Sequence, residues 1–234
     1  MKRFLLAGAT LLVLTAAQPT LAADAPVYKG PPPAAAALFN WSGLYIGING
    51  GYGWGTGFFR FDPPTTGEPG NFDVKGGLIG GTIGWNWQAP GSNLVWGIEG
   101  DLDWTNIKGG GLCPNPTFSC NVGNSWIGTV RGRLGVAMNT LLLYATGGFA
   151  FGDIRGEGID STGVLITPGT VVTKTGWTAG AGVEAAVGAN WSVKAEWLYV
   201  DLGSATCNGC GSFVTPATMS FKTNLFRVGA NLRF

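Results

Sequence analysis

From Leu44 to Trp54 the chain sets Leu44, Ile46, Ile48, Tyr52 and Trp54 on one face of an extended segment. A period of two is the signature of a strand with one apolar side. Over 94–104 the same period opposes Leu94, Trp96, Ile98, Leu102 and Trp104 to Glu99, Asp101 and Asp103. Over 126–136 it opposes Trp126, Val130, Leu134 and Val136 to Thr129, Arg131 and Arg133. Residues 177–187 set Trp177, Val183 and Val187 against Thr178 and Glu184, and 191–199 set Val193, Ala195, Trp197 and Tyr199 against Lys194 and Glu196. The chain closes on "LFRVGANLRF", where Phe226, Val228, Ala230, Leu232 and Phe234 alternate with Arg227, Gly229, Asn231 and Arg233. Segments 76–88 and 141–152 alternate less cleanly. The uncharged run from Leu134 to Gly152 is broken by Asn139-Thr140 and by Gly135, Gly147 and Gly148, which predicts two strands around a turn instead of a helix.

These segments are separated by connections of two lengths. Ala89–Asn93, Met138–Thr140 and Gly188–Asn190 are short; Gly55–Lys75, Thr105–Asn124, Ile154–Lys174 and Gly203–Ser220 are long and rich in turn residues. Strict alternation of long and short connections is the pattern of an up-and-down barrel, and strands of this length match a tilted bilayer crossing. Trp41, Tyr45, Trp54, Trp85, Trp87, Trp104, Trp126, Trp177 and Trp191 fall near strand ends, where aromatic girdles are expected. The chain is therefore predicted to be all-β: an eight-stranded antiparallel up-and-down transmembrane β-barrel with long extracellular loops and short periplasmic turns.

Ahead of the strands, Lys2 and Arg3 precede the apolar run Phe4–Val13, and Thr20-Leu21-Ala22 ends in small residues. This predicts a secretory signal peptide over 1–22, cut after Ala22. A Pro/Ala-rich periplasmic linker is expected over 23–38 and the barrel over 39–234. Removing two of the 14 bases leaves 12 against 13 acids, a net charge of −1. No basic field points to nucleic acid. Histidine is absent, which removes the commonest general base and metal ligand. No catalytic or metal residue and no cofactor is assigned, and an enzyme is not expected.

With the polar face inward, Glu99, Asp101, Asp103, Glu184 and Glu196 meet Arg131, Arg133, Lys194, Arg227 and Arg233 in the lumen. A narrow interior holds such charges only as pairs, so a salt-bridge network is expected. Lys222, Asp201 and Asp153 have lipid-face parity but lie near loop ends, close to water. Cys113 and Cys120 fall in one long connection, Cys207 and Cys210 in another. In an exported chain these read as structural disulfides, Cys113–Cys120 and Cys207–Cys210.

The stretches "WSGLYIGINGGYGWG", "GTVRGRLGVA", "GWTAGAGVEAAV", "NWSVKAEWLYVDLG" and "LFRVGANLRF" resemble the small outer-membrane β-barrel proteins of alphaproteobacterial type, often called the porin family, with OmpA-like eight-stranded barrels. Val136 stands where these proteins often carry a bulky aromatic, and the four cysteines are not part of the pattern. The resemblance implies that Phe226, Val228, Ala230, Leu232 and Phe234 form the signal read by the outer-membrane assembly machinery. It places the chain in the outer membrane of a Gram-negative bacterium, in contact with lipid and lipopolysaccharide, with loops open to surface ligands. Oligomeric state stays open. Two readings of function follow: a structural or surface barrel with a charge-paired, largely closed lumen, or a small passive pore. Eight strands enclose little more than side chains, which favours the first.

Overall fold

The computed structural model describes residues 39–61, 70–112, 118–160, 162, 164, 170–207 and 217–234. The expected signal peptide and linker, and Cys113 and Cys210, lie outside them. Eight strands run in order: β1 (Gly43–Phe61), β2 (Gly70–Gln88), β3 (Leu94–Leu112), β4 (Phe118–Met138), β5 (Leu141–Asp160), β6 (Thr170–Ala186), β7 (Trp191–Cys207) and β8 (Ala217–Arg233). Each pairs antiparallel with the next, and β8 returns to β1, closing the barrel. At the seam, the Phe234 N–H donates to the Leu44 carbonyl at 2.9 Å.

The strands are longer than the sequence pattern predicts. They run 17 to 21 residues, whereas about 9–11 residues cross a bilayer. Most of what reads as long loops is strand that continues past the membrane. The short connections match their predicted positions, and Asn139 adopts a φ of 55° in the tightest of them.

The outer wall follows the alternation. Ile48, Ile79 and Phe149 are 72%, 68% and 75% exposed, and Ile98, Val130, Leu134, Val193 and Val228 join them in a continuous belt. A water-soluble protein rarely exposes apolar patches larger than a few hundred Å²; this belt is the lipid-facing surface. Trp54, Trp104 and Trp177 border it on the loop side, Trp87, Trp96 and Trp191 on the turn side. Trp41 and Tyr45, expected in the girdles, point inward and are 0% and 1% exposed.

The interior is not polar throughout. Past the membrane, Phe59, Phe72, Val74, Ile107, Val122, Ile154, Leu202, Met219 and Phe221 fill the barrel as one buried apolar cluster. This follows from the surroundings. Where the outer wall meets lipid, apolar side chains face out; where it meets water, the hydrophobic effect drives them in.

On most strands the inward parity is unchanged and only the residue types switch, while bulges shift the parity itself in β4 and β7. In β4, Asn124 and Ile127 are both buried, and pairing to β3 and β5 is interrupted between them. In β7, Leu202 and Ala205 are both buried around Gly203, which has a φ of 70°. An extra residue in one strand shifts the inward set by one. The β4 bulge frees backbone donors, and Asp153 accepts them: Ser125 N at 2.8 Å and Trp126 N at 3.0 Å. That is the structural use of an aspartate with lipid-face parity. Asp201 is held by Lys222 at 3.2 Å on the outer wall.

Candidate functional site

The lumen at membrane depth is built from β3 (Glu99, Asp101, Asp103), β4 (Arg131, Arg133), β6 (Glu184), β7 (Lys194, Glu196) and β8 (Arg227), all buried. Glu99 is the register partner of Arg131, and Glu196 of Arg227. The alternation therefore sets opposite charges side by side before any side chain crosses the barrel.

Arg131 is the hub. Its guanidinium meets Glu99, Asp101 at 2.8 Å and Glu196 at 2.8 Å, and its Nε donates to the Thr129 hydroxyl at 2.9 Å. Arg227 is a second hub, bridging Asp101, Asp103 and Glu196. Arg133 binds Glu184 at 2.7 Å and lies 3.5 Å from Glu99. Lys194, though opposite Glu184 in register, reaches across to Glu99 at 3.0 Å. Removing one partner from such a buried set typically costs about 3–5 kcal/mol, because the others are left uncompensated.

Neutral groups complete the set, and parity arguments about charge did not find them. The Tyr45 hydroxyl donates to Glu99 at 2.8 Å and accepts from Arg133 at 2.9 Å. The Tyr144 hydroxyl donates to Glu196 at 3.2 Å, and Arg133 stacks 4.0 Å from the Tyr144 ring. Ser192 and Asn231 both donate to Glu184. Two of the lumen glycines that would favour a water path are covered by these rings. A Cβ on Gly84 would lie 2.3 Å from Tyr45, and one on Gly182 would lie 2.5 Å from Tyr144. Each glycine is a socket for a tyrosine.

Arg233, expected in the network, stands apart from it. Its guanidinium donates to the Asn40 carbonyl at 2.9 Å and the Ala189 carbonyl at 3.2 Å, and lies 4.1 Å from the Phe39 ring. The described ion pairs thus set five carboxylates against four bases. Arg233 serves the turn end of the barrel, where Trp41, Val95, Ala137, Leu142 and Tyr144 form a second apolar cluster. Trp41 is fixed there by two bonds: its Nε1 donates to the Asn139 carbonyl at 3.1 Å and its N–H to the Gln88 side chain at 2.9 Å.

The lumen is therefore layered: an apolar plug around Trp41, a charge network, and the apolar core of the projecting strands. Glu99, Asp101 and Glu196 each accept from at least two cations, so they are committed to structure and not poised to take a proton from a substrate. Cys120 is buried in β4 and is not a free thiol. Phe226 and Val228 on β8, and Phe234 just past it, are exposed, alternating with buried Arg227 and Arg233.

Comparison with known proteins agrees with this architecture. The chain is 34% identical over 255 residues to the 31 kDa outer-membrane immunogenic protein of Brucella melitensis, covering 100% of both chains. It is 32% identical over 200 residues to the 22 kDa outer membrane protein of Rhizobium leguminosarum, covering 83% of this chain and 79% of that protein. Among solved structures it resembles the outer membrane protein OprG of Pseudomonas aeruginosa, with a TM-score of 0.50 and 13% identity over 82% of this chain and 96% of the other, a likeness of fold. The family described as outer membrane protein beta-barrel domain matches residues 8–234. Fold, lipid-facing belt and relatives converge: this chain belongs to the outer membrane protein beta-barrel domain family.

Proposed function

We propose that this barrel is a structural and surface protein of the outer membrane of a Gram-negative bacterium, exported by a signal peptide cleaved after Ala22, closed to solutes and without enzymatic activity. The observation that carries the reading is the interior at membrane depth. Arg131 and Arg227, with 0% and 1% of their side chains exposed, each tie three carboxylates across the lumen. An ion path through this level would have to break several such bonds at once. The same interior supports the absence of catalysis, since its carboxylates are already engaged by cations.

In this reading the projecting strands and their loops are the functional surface, open to ligands or to recognition by a host, as the word immunogenic implies for the Brucella relatives. Phe234 and its alternate apolar partners on β8 serve as the signal for the assembly machinery. The cysteines brace the loops as Cys113–Cys120 and Cys207–Cys210, the first closing an eight-residue loop worth about 2–3 kcal/mol in the chain-entropy model. Peptide mapping without reductant is expected to recover those two linked pairs; a Cys113–Cys207 or Cys120–Cys210 peptide would replace local braces with a clasp between loops.

The pore reading is tested by loading vesicles with small sugars and salts. Vesicles carrying folded barrel are expected to retain them as well as empty ones do. Release that scales with barrel content would overturn the closed lumen.

A further inference from the structure

On the outer wall, strand register brings three cations into one line. Lys75 on β2 is the partner of Lys108 on β3, Lys108 of Gly123 on β4, and Gly123 of Arg155 on β5. At its near end, Lys75 is paired with Trp54 of the loop-side girdle. Lys75, Lys108 and Arg155 are all exposed. Gly123 puts no side chain between Lys108 and Arg155, where a Cβ would lie 3.3 Å from that of Lys108, and a groove of about 520 Å³ is bordered there by Lys108, Gly123, Asn106, Asn121, Arg155 and Glu157.

Two like charges directly opposite on one face of an antiparallel pair destabilise the sheet. Among the described residues neither lysine forms an ion pair. Asp73 and Glu157 lie two residues farther toward the loops on their strands, and Asp153 is taken by Ser125, Trp126 and Arg155. A bridging anion would turn this local cost into a binding energy. The girdle fixes its source, because tryptophan rings sit at the level of lipid headgroups. We propose that the line Lys75–Lys108–Gly123–Arg155 binds the phosphate groups of an outer-leaflet phosphoglycolipid, with the lysines as point charges and Gly123 leaving room for the headgroup. This goes beyond a closed barrel and does not depend on closure.

The test uses the folded mature chain and a Lys75→Thr/Lys108→Thr double variant in zwitterionic detergent; Arg155 is kept because it also holds Asp153. Each is titrated with bisphosphorylated lipid A and with the same lipid stripped of phosphate, bound lipid being counted by native mass spectrometry. The double variant is expected to bind the phosphorylated lipid about 25-fold more weakly, each lysine near an anionic surface being worth about a factor of five, with no difference for the stripped lipid. Stability supplies a second readout. Lys75→Thr alone is expected to raise the unfolding midpoint in neutral detergent and to lower it with phosphorylated lipid present. Equal binding by both proteins, or equal binding of both lipids, would overturn the proposal. Inorganic phosphate alone reversing the sign as fully as the lipid would overturn the lipid assignment in favour of a general anion site.

Discussion

Replacing Arg131 by Met is expected to destabilise the barrel by about 3–5 kcal/mol, the range for breaking a buried ion pair by removing one partner. The reason lies in the count of its partners. Glu99, Asp101 and Glu196 all converge on this guanidinium, and Met would leave five buried carboxylates against three bases, with Asp101 and Glu196 both dependent on Arg227. Asp103→Asn is the control. It removes the charge of the acid whose one described ion pair is with Arg227 and brings the network to four acids against four bases, so its cost should stay below about 1 kcal/mol, the level of a typical intramolecular hydrogen bond. Urea titration in lipid vesicles, followed by tryptophan fluorescence, measures both. Equal losses for the two variants would show that electrostatic balance does not govern this interior.

The second large effect is at the turn end. Trp41→Ala is expected to cost about 3–5 kcal/mol, as large-to-small substitutions of buried aromatics do. The ring is fully buried against Val95, Leu142 and Tyr144, and its loss also leaves the Asn139 carbonyl without the indole donor seen at 3.1 Å. Arg233 would lose part of the aromatic surface it packs on, since its guanidinium lies 5.4 Å from the Trp41 ring. The charge network shares Tyr144 with this cluster but keeps every one of its ion pairs. The destabilised variant should therefore still hold back ions when folded. Leakage by folded Trp41→Ala would place the seal at the plug and not at the charges.

How far the sequence goes toward this picture depends on depth in the membrane. Between the girdles one environment lies outside and another inside, so a fixed period of two reads the wall correctly: Ile98 outward and Glu99 inward, Val228 outward and Arg227 inward. Strand count and the pairing of long and short connections follow from the same signal. Beyond the loop-side girdle the outside becomes water and apolar residues take the inward positions, with bulges at Ser125-Trp126 and Gly203 also shifting the parity in β4 and β7. A constant template loses Phe72, Ile107 and Leu202 there and reads their strands as loops.

The site was legible in its charges and not in its neutral members. Opposite charges on one parity identify Glu99 with Arg131 and Glu196 with Arg227, because they are also register neighbours. Nothing local distinguishes Tyr45 from a girdle aromatic except that it sits out of phase with Leu44 and Ile46. Tyr144 lies in a strand whose alternation is weak, and its role depends on the socket at Gly182, 38 residues away in sequence. Arg233 has the parity of the network but stands at the last turn-side position, where carbonyls and Phe39 are nearer than any acid described.

The most direct test of the account is single-channel recording across a planar bilayer with the mature chain, Ala23 to Phe234, its folding verified by heat-modifiable gel mobility. The layered interior predicts a silent trace at every voltage the bilayer tolerates. Steady, defined current steps from folded protein would contradict it, and would mean that water passes the level of Arg131 and Arg227.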